Sequence, residues 1–318
     1  MDWLGAEISG PLVAVRAIHF AATAITAGSL VFQAVAAKPA WRSEETVEKL
    51  LKKQTLSVAW IGLAVAVLSG ALWFLLQAVS MSGLPLSEAM TTRVLSTVLN
   101  RTQFGLLSEI RIVLAIAVAA CLAYYRFALA EWLAPAAALG LAAAIAWTGH
   151  AGSTPGDAGL LHLAADALHL LGASAWIGGL VSLVLVLAAV RHRRSVASAS
   201  LAWDATRRFS TLGIVSVAIL AATGIVNAWI LVGSFHALVT TGYGRLLMLK
   251  LVVFATMLVF AFVNRFWLTP QLATSPDELR LETLRQLTRN SSIEIVLALA
   301  IFAIVGVLGT LHPAVHLL

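Results

Sequence analysis

Residues 160–190 read LLHLAADALHLLGASAWIGGLVSLVLVLAAV, and this stretch decides the fold. It carries one formal charge, Asp166. It is otherwise apolar for longer than the roughly 20 residues a helix needs to cross a bilayer. Seven further stretches have the same character, at 12–36, 57–80, 104–125, 132–151, 209–235, 244–267 and 291–312. The whole chain agrees. Of its 318 residues 60% are hydrophobic and 11% are charged, against about 25% charged in soluble domains. The mean hydropathy is +0.92. A soluble domain, a disordered chain and a secreted disulfide scaffold are excluded. The single cysteine, Cys121, also excludes a CxxC pair and a cysteine zinc site.

The first stretch ends in the small-residue run Ala34-Val35-Ala36, which resembles a signal-peptide cleavage site. However, the flank before it holds Asp2 and Glu7 and no basic residue, and the apolar run is too long for a signal h-region. A retained helix is expected. Basic residues then set the orientation. Lys38, Arg42, Lys49, Lys52 and Lys53 follow span 1, Arg126 follows span 3, and Arg191, Arg193, Arg194, Arg207 and Arg208 follow span 5. Arg265, Arg280, Arg285 and Arg289 follow span 7, whereas the alternate loops offer only Arg93, Arg101 and Arg245. Both termini are expected outside. The net charge of +6 then belongs to inner loops facing lipid, and no nucleic-acid partner is implied. Ser43-Glu44-Glu45 and Ser275-Pro276-Asp277-Glu278 predict short surface helices on the inner loops.

The halves repeat each other. His19 … Gly28 matches His169 … Gly178 with identical spacing. Thr102-Gln103-Phe104-Gly105 … Arg111 matches Thr241-Gly242-Tyr243-Gly244 … Lys250. Ser69-Gly70 matches Thr223-Gly224, and His150 matches His312. Units of four spans insert the same way round, related by an axis along the membrane normal. The expected fold is therefore an all-α integral membrane protein with eight transmembrane helices. They form two parallel four-helix repeats, residues 1–151 and 152–318.

Of eight histidines, His19, His150, His162, His169, His236, His312 and His316 fall on the outer side, and His192 falls inside. Imidazole suits copper, zinc, iron and nickel. His162, Asp166 and His169 share one helix face, where the carboxylate can ligate a metal or orient an imidazole. The candidate metal ligands are His19, His150, His162, His169, His312 and His316. His236, in a loop, and His192, among arginines, read as ordinary polar residues, and so do Met81, Met90, Met248 and Cys121 as packing residues. Arg16, Glu109, Arg111, Asn227, Lys250 and Glu294 are further embedded polar groups, read chiefly as structural, with Glu109 placed to neutralise a neighbouring cation. The Trp176-Ile177-Gly178-Gly179 turn and Gly28 supply small residues for close helix approach. A second chemistry uses the same residues: His19, His150, His169 and His312 as axial ligands of haem b, in the pairs His19/His150 and His169/His312 or in cross-repeat pairs. Oxidoreductase activity would come only with that haem. Neither a Walker loop, a dinucleotide fingerprint, HExxH nor GxSxG is present, so ATP-driven pumping and standard hydrolysis have no support.

The chain resembles the copper-resistance D (CopD/PcoD) family of bacterial inner-membrane proteins. The resemblance rests on His169-Leu170-Leu171 … Trp176-Ile177-Gly178-Gly179-Leu180, Arg208-Phe209-Ser210 and Thr223-Gly224. It continues through Tyr243-Gly244 … Leu247 … Lys250, Asn264-Arg265 and His312-Pro313 … His316. It is densest over residues 150–316 and weaker in the first half, through Arg16 … His19 and Gly28. The resemblance implies eight spans, an inner-membrane location, periplasmic termini, copper uptake and a separate CopC-like periplasmic copper carrier as partner. On that reading copper is captured by His150, His312 and His316 and passed to a site near His19, His162 and His169. A holding role, delivering copper without transport, is the further alternative.

Overall fold

The computed structural model describes residues 10–37, 45–193, 196–274 and 276–316. Among them, eight helices are long and apolar enough to cross a membrane. They are α1 (Gly10–Phe32), α2 (Glu45–Ser82), α3 (Gln103–Ala123), α4 (Ala128–Ala143), α5 (Gly156–Arg193), α6 (Val196–Val232), α7 (Gly242–Val263) and α8 (Asp277–Leu308). With the turns that extend them, Ala144–Thr148 after α4 among them, each overlaps one of the apolar stretches of the sequence. A π turn, Gln33–Ala37, ends α1, and another, Asn264–Leu268, ends α7.

The ends expected to lie inside differ from the sequence reading. Instead of separate surface helices, α2 is already helical at Glu45 and α8 at Asp277. Extending an existing helix avoids the cost of a second nucleus. The expected caps, Ser43 and Ser275, lie outside the described residues. At the opposite end short helices replace plain loops, at Leu86–Ala89, Thr92–Arg101 and Phe235–Thr240. Gly83 follows α2 and Gly233 follows α6, each with positive φ (65° and 73°), the conformation that ends a helix with least strain in glycine.

α1 and α5 form the centre. About 78% of the apolar window of α1 and 61% of that of α5 is buried, against 11–39% for the other six spans. The two helices touch at Gly28 and Gly178. A Cβ on Gly28 would lie 2.7 Å from the Gly178 Cα and run into the Ser174 carbonyl. A Cβ on Gly178 would lie 2.8 Å from the Gly28 Cα and run into the Ala24 carbonyl. Each glycine thus meets the residue four positions before the other, so the crossing looks alike from either helix. α2 and α4 pack on α1, α6 packs on α5, α8 reaches both central helices, and α4 also reaches α5. The outward faces carry exposed chains such as Ile61, Leu68, Ile116, Ile225, Trp229 and Val252. In a bilayer these meet acyl chains, which are as apolar as they are.

At the end that carries most basic residues, Lys52 of α2 donates to Glu131 of α4 at 2.8 Å. The Lys52 ammonium also lies 5.2 Å from the centre of the Tyr125 ring. Burial, and then the Glu131 carboxylate, push the Tyr125 phenol up to about 12, so the ring remains neutral beneath the ammonium. Because Lys52 and Glu131 both keep some contact with solvent, Glu131→Gln is expected to cost only about 0.2–1 kcal/mol. Its thermal midpoint in detergent should fall by a few degrees at most. A collapse to unfolded protein would contradict this peripheral role.

Candidate functional site

Two histidines occupy matching places. His19 on α1 brings Nδ1 to the Ala66 carbonyl at 2.9 Å and the Ser69 hydroxyl at 3.2 Å, both on α2. His169 on α5 brings Nδ1 to the Thr223 hydroxyl of α6 at 2.9 Å. The Ser69 hydroxyl gives its hydrogen to the Val65 carbonyl at 2.6 Å, and Thr223 gives its own to Ile219 at 2.6 Å. Each hydroxyl therefore accepts from the imidazole, which places the ring hydrogen on Nδ1 in both histidines. Gly70 and Gly224 make room for the rings: a Cβ there would lie 3.3 Å from His19 Cε1 and 3.7 Å from His169 Cε1. The repeated threonines have matching duties as well. Thr102 caps α3 by accepting from Gly105 N, and Thr241 caps α7 by accepting from Gly244 N, each at 3.0 Å. Gly105 and Gly244 are glycine because a Cβ would strike the carbonyls of the short helix before it.

The two sites part at the third helix. Arg111 of α3 donates to His19 Nε2 at 2.7 Å, so both nitrogens of that ring are engaged. Trp73 lies between two guanidinium groups, 4.8 Å from Arg111 and 5.3 Å from Arg16. Arg16 itself donates to the Gly309 carbonyl at 2.8 Å. Arg111 Nε and Nη1 are buried without a hydrogen-bond partner. His19 is therefore closed off: a metal would have to displace Arg111 to reach it.

Lys250, the counterpart of Arg111, leaves its histidine open. It lines a cavity of about 480 Å³ together with His150, His162, Asp166, His169 and Tyr243, a volume suited to a small ligand. His169 Nε2 has no hydrogen-bond partner among the described residues. His162 repeats the arrangement. Its Nδ1 meets the Thr154 hydroxyl at 2.9 Å, and that hydroxyl gives its hydrogen to the His150 carbonyl at 3.1 Å. The ring hydrogen is again on Nδ1, leaving Nε2 as the lone pair. Hydrogen-bonding the far nitrogen in this way is how proteins orient imidazole for a metal. Asp166 accepts from Asn227 at 3.2 Å. Asn227 Oδ1 is buried without a partner, an acceptor still seeking a donor or a cation at the wall. Lys250 acts on Asp166 electrostatically, with no ion pair within 4.0 Å.

The remaining candidates are dispersed. His150 stands at the cavity wall, with Nε2 donating to the Leu308 carbonyl at 3.4 Å and its ring 6.2 Å from that of Tyr243. His312 is exposed and lines no described cavity, and the side chains of His316 and His192 lie outside the described residues. His236 is exposed in the short helix Phe235–Thr240. Glu109 points outward from α3 instead of neutralising a buried cation. Among the described residues, no three His, Cys, Asp or Glu side chains already stand close enough to hold a metal ion together. Thr154 and Tyr243 are the site residues that sequence reasoning did not single out for chemistry. Thr154 reaches His162 across the break before α5, where no helical periodicity connects them.

The comparisons with known proteins fit this picture. The family model "Copper resistance protein D-like, N-terminal domain" matches residues 7–160, and "Copper resistance protein D" matches residues 203–308. Copper resistance protein D of Pseudomonas syringae pv. tomato is 30% identical over 269 residues, covering 81% of this chain and 82% of the relative. Copper transport protein CutJ of Bacillus subtilis (strain 168) is 29% identical over 255 residues, 78% of this chain and 45% of that longer protein. Inner membrane protein YebZ of Escherichia coli (strain K12) is 26% identical over 310 residues, 95% of this chain and 98% of the relative. No solved structure gives a significant match. Its eight membrane-spanning helices and these matches together identify the chain as a multi-pass, copper-related membrane protein that belongs to the copper resistance protein D family.

Proposed function

We propose that the protein moves copper from the periplasm towards the cytoplasm through the cavity lined by His150, His162 and His169, taken as the outer one, most of whose wall comes from the second half. His162 and His169 are the first ligands, with Asp166 as the neutralising carboxylate. The observation that carries this reading is the pair of Nε2 lone pairs at one cavity, each with its ring hydrogen held on the opposite nitrogen by a hydroxyl. Copper is the cargo here, so the ligands need not be assembled beforehand, and closure of the side chains around the ion is part of the cycle. His150 stands at the wall as the third ligand, and His312 and His316 serve as the capture residues beyond it. The words "copper resistance" and "copper transport" in the relatives' names support the cargo.

The same reading takes residues 1–151 and 152–318 as two units inserted the same way round in the inner membrane, with both termini periplasmic. The matched histidines, caps and crossing glycines support the two units, and the basic inner ends support the orientation. The first unit is then the structural copy, its histidine held by Arg111. A separate CopC-like carrier would deliver copper at the periplasmic mouth. Haem b on the same histidines is the competing reading. The closed His19 and the outlying His312 favour copper over it.

The test is elemental mass spectrometry of the purified protein, followed by copper uptake into proteoliposomes. Copper near one equivalent, with uptake above protein-free vesicles, is expected. Iron near one or two equivalents with a Soret band would replace copper by haem b. Bound copper without uptake would leave a delivery partner.

A further inference from the structure

The second half contains a second cavity, on the inner side of the first. It measures about 430 Å³, and its wall includes Thr206 and Ser210 of α6, Arg265 beside α7, and Glu294 of α8. Only Trp176 and Ala221 belong to the walls of both cavities. Trp176 is 2% exposed and packs edge-on against Phe254 of α7, with ring centres 5.9 Å apart. Along α5 it lies about 10 Å beyond His169 at the helical rise of about 1.5 Å per residue. The indole thus stands as a partition between two spaces that follow one another across the membrane.

Glu294 is a carboxyl group 2% exposed inside an apolar bundle. Its hydrogen-bond partner is neutral: Asn264 Nδ2 donates to it at 2.7 Å, and Asn290 Nδ2 in turn donates to Asn264 Oδ1 at 3.1 Å. The π turn that starts at Asn264 sets this amide in place, and Thr269 closes the turn on the Asn264 carbonyl at 2.7 Å. The only other charged side chain of the wall, Arg265, donates to Ser210 and forms no ion pair with Glu294. The Thr206 hydroxyl, 3% exposed, lies in the same wall without a partner. A carboxyl group with no cation beside it in a low-dielectric site changes charge by exchanging a proton, or a cation for a proton. The free hydroxyl and the space beside it leave room for that exchange.

We infer that the inner cavity is a proton- and cation-exchange site centred on Glu294, separated from the outer cavity by Trp176. The inference rests on the transport reading and deepens it. In the step, the Glu294 O–H bond breaks as a monovalent copper ion arrives from the outer cavity. The carboxylate pairs with the ion, the proton leaves to the inner aqueous side, and copper keeps its oxidation state; when the ion leaves inward, a proton from the outer side restores the carboxyl group. One positive charge enters the site for each one that leaves, so the buried site stays neutral. An oxygen that holds the ion only transiently thereby gives copper a contact in the inner half.

Two measurements on the full chain test this. Infrared difference spectra on adding Cu(I) should show loss of a protonated-carboxyl band in the native protein and in Cys121→Ser, but not in Glu294→Gln. Proteoliposomes with an entrapped pH dye should show copper-driven proton movement that falls at least tenfold in Glu294→Gln and partly returns in Glu294→Asp. Copper bound at equilibrium in the outer cavity should stay the same in all of them. An unchanged proton signal in Glu294→Gln, or no carboxyl band in the native protein, overturns the inference. Native vesicles that take up no copper while the carboxyl band still responds would overturn the transport reading and support the exchange site.

Discussion

Gly28→Ala should leave little folded protein. The new methyl would sit 2.7 Å from the Gly178 Cα and against the Ser174 carbonyl. Both obstacles are backbone, so no rotamer change relieves the clash, and α1 and α5 have to separate along their whole crossing. Overpacking a well-packed site costs about 1–3 kcal/mol, occasionally more. With a rigid obstacle on the most buried pair of helices, about 3 kcal/mol or more is expected. Gly178→Ala should behave alike, because the crossing is the same from its side. Gly213→Ala provides the control, since a Cβ there meets nothing within 4 Å. It should be neutral or raise stability by about 0.5–1 kcal/mol through helix propensity. Monodisperse yield in detergent and the thermal midpoint are the measurements. If Gly28→Ala and Gly213→Ala were equally stable, the close crossing at the centre of the fold would be wrong.

The second large effect concerns copper itself. The double variant His162→Ala/His169→Ala should lose at least about tenfold in copper affinity, because imidazole is the copper-preferring ligand at this cavity. Thr223→Val should lose about 10- to 100-fold through the same atom at one remove, since it removes the acceptor that keeps the His169 hydrogen on Nδ1. His19→Ala should lower thermal stability and leave copper binding unchanged, because Arg111 already occupies Nε2. The pairing matters. If His19→Ala abolished binding while the double variant kept it, the functional half would be the first and not the second. Equilibrium dialysis against a copper-competing chelator reads all three.

The long apolar runs made eight spans legible without a structure, since a bilayer leaves a helix few alternatives. The matched spacing from His19 to Gly28 and from His169 to Gly178 also carried physical content. One pair became the matched imidazoles and the other the helix crossing. What the sequence hid was how differently the two imidazoles end up. Arg111 and Lys250 stand at the same place in the pattern, yet the forked guanidinium donates to one ring while the Lys250 amine leaves the other uncovered. That difference lies in side-chain reach and geometry, which spacing does not encode. The π turn at Asn264 was equally invisible, although it sets the amide on Glu294. Glu109 failed for a related reason: periodicity places a residue on a face, but only the neighbouring helices decide whether that face turns inward. Trp176-Ile177-Gly178-Gly179 read as a small-residue contact, and its glycines do meet α1 and the Phe209 ring of α6. The tryptophan beside them took a separate duty at the cavities.

The central place of α1 has a consequence for how the protein is made. Ribosomes release α1 before the helices that bury it, and the carbonyl that receives Arg16 belongs to Gly309, 293 positions later. Until α5 and α8 are synthesised, a helix carrying a guanidinium waits in the translocon or in lipid without its neighbours. The nascent chain therefore depends on its insertion machinery for most of its synthesis. Arg16 of α1 gains its carbonyl partner only once α8 and the turn after it have been made.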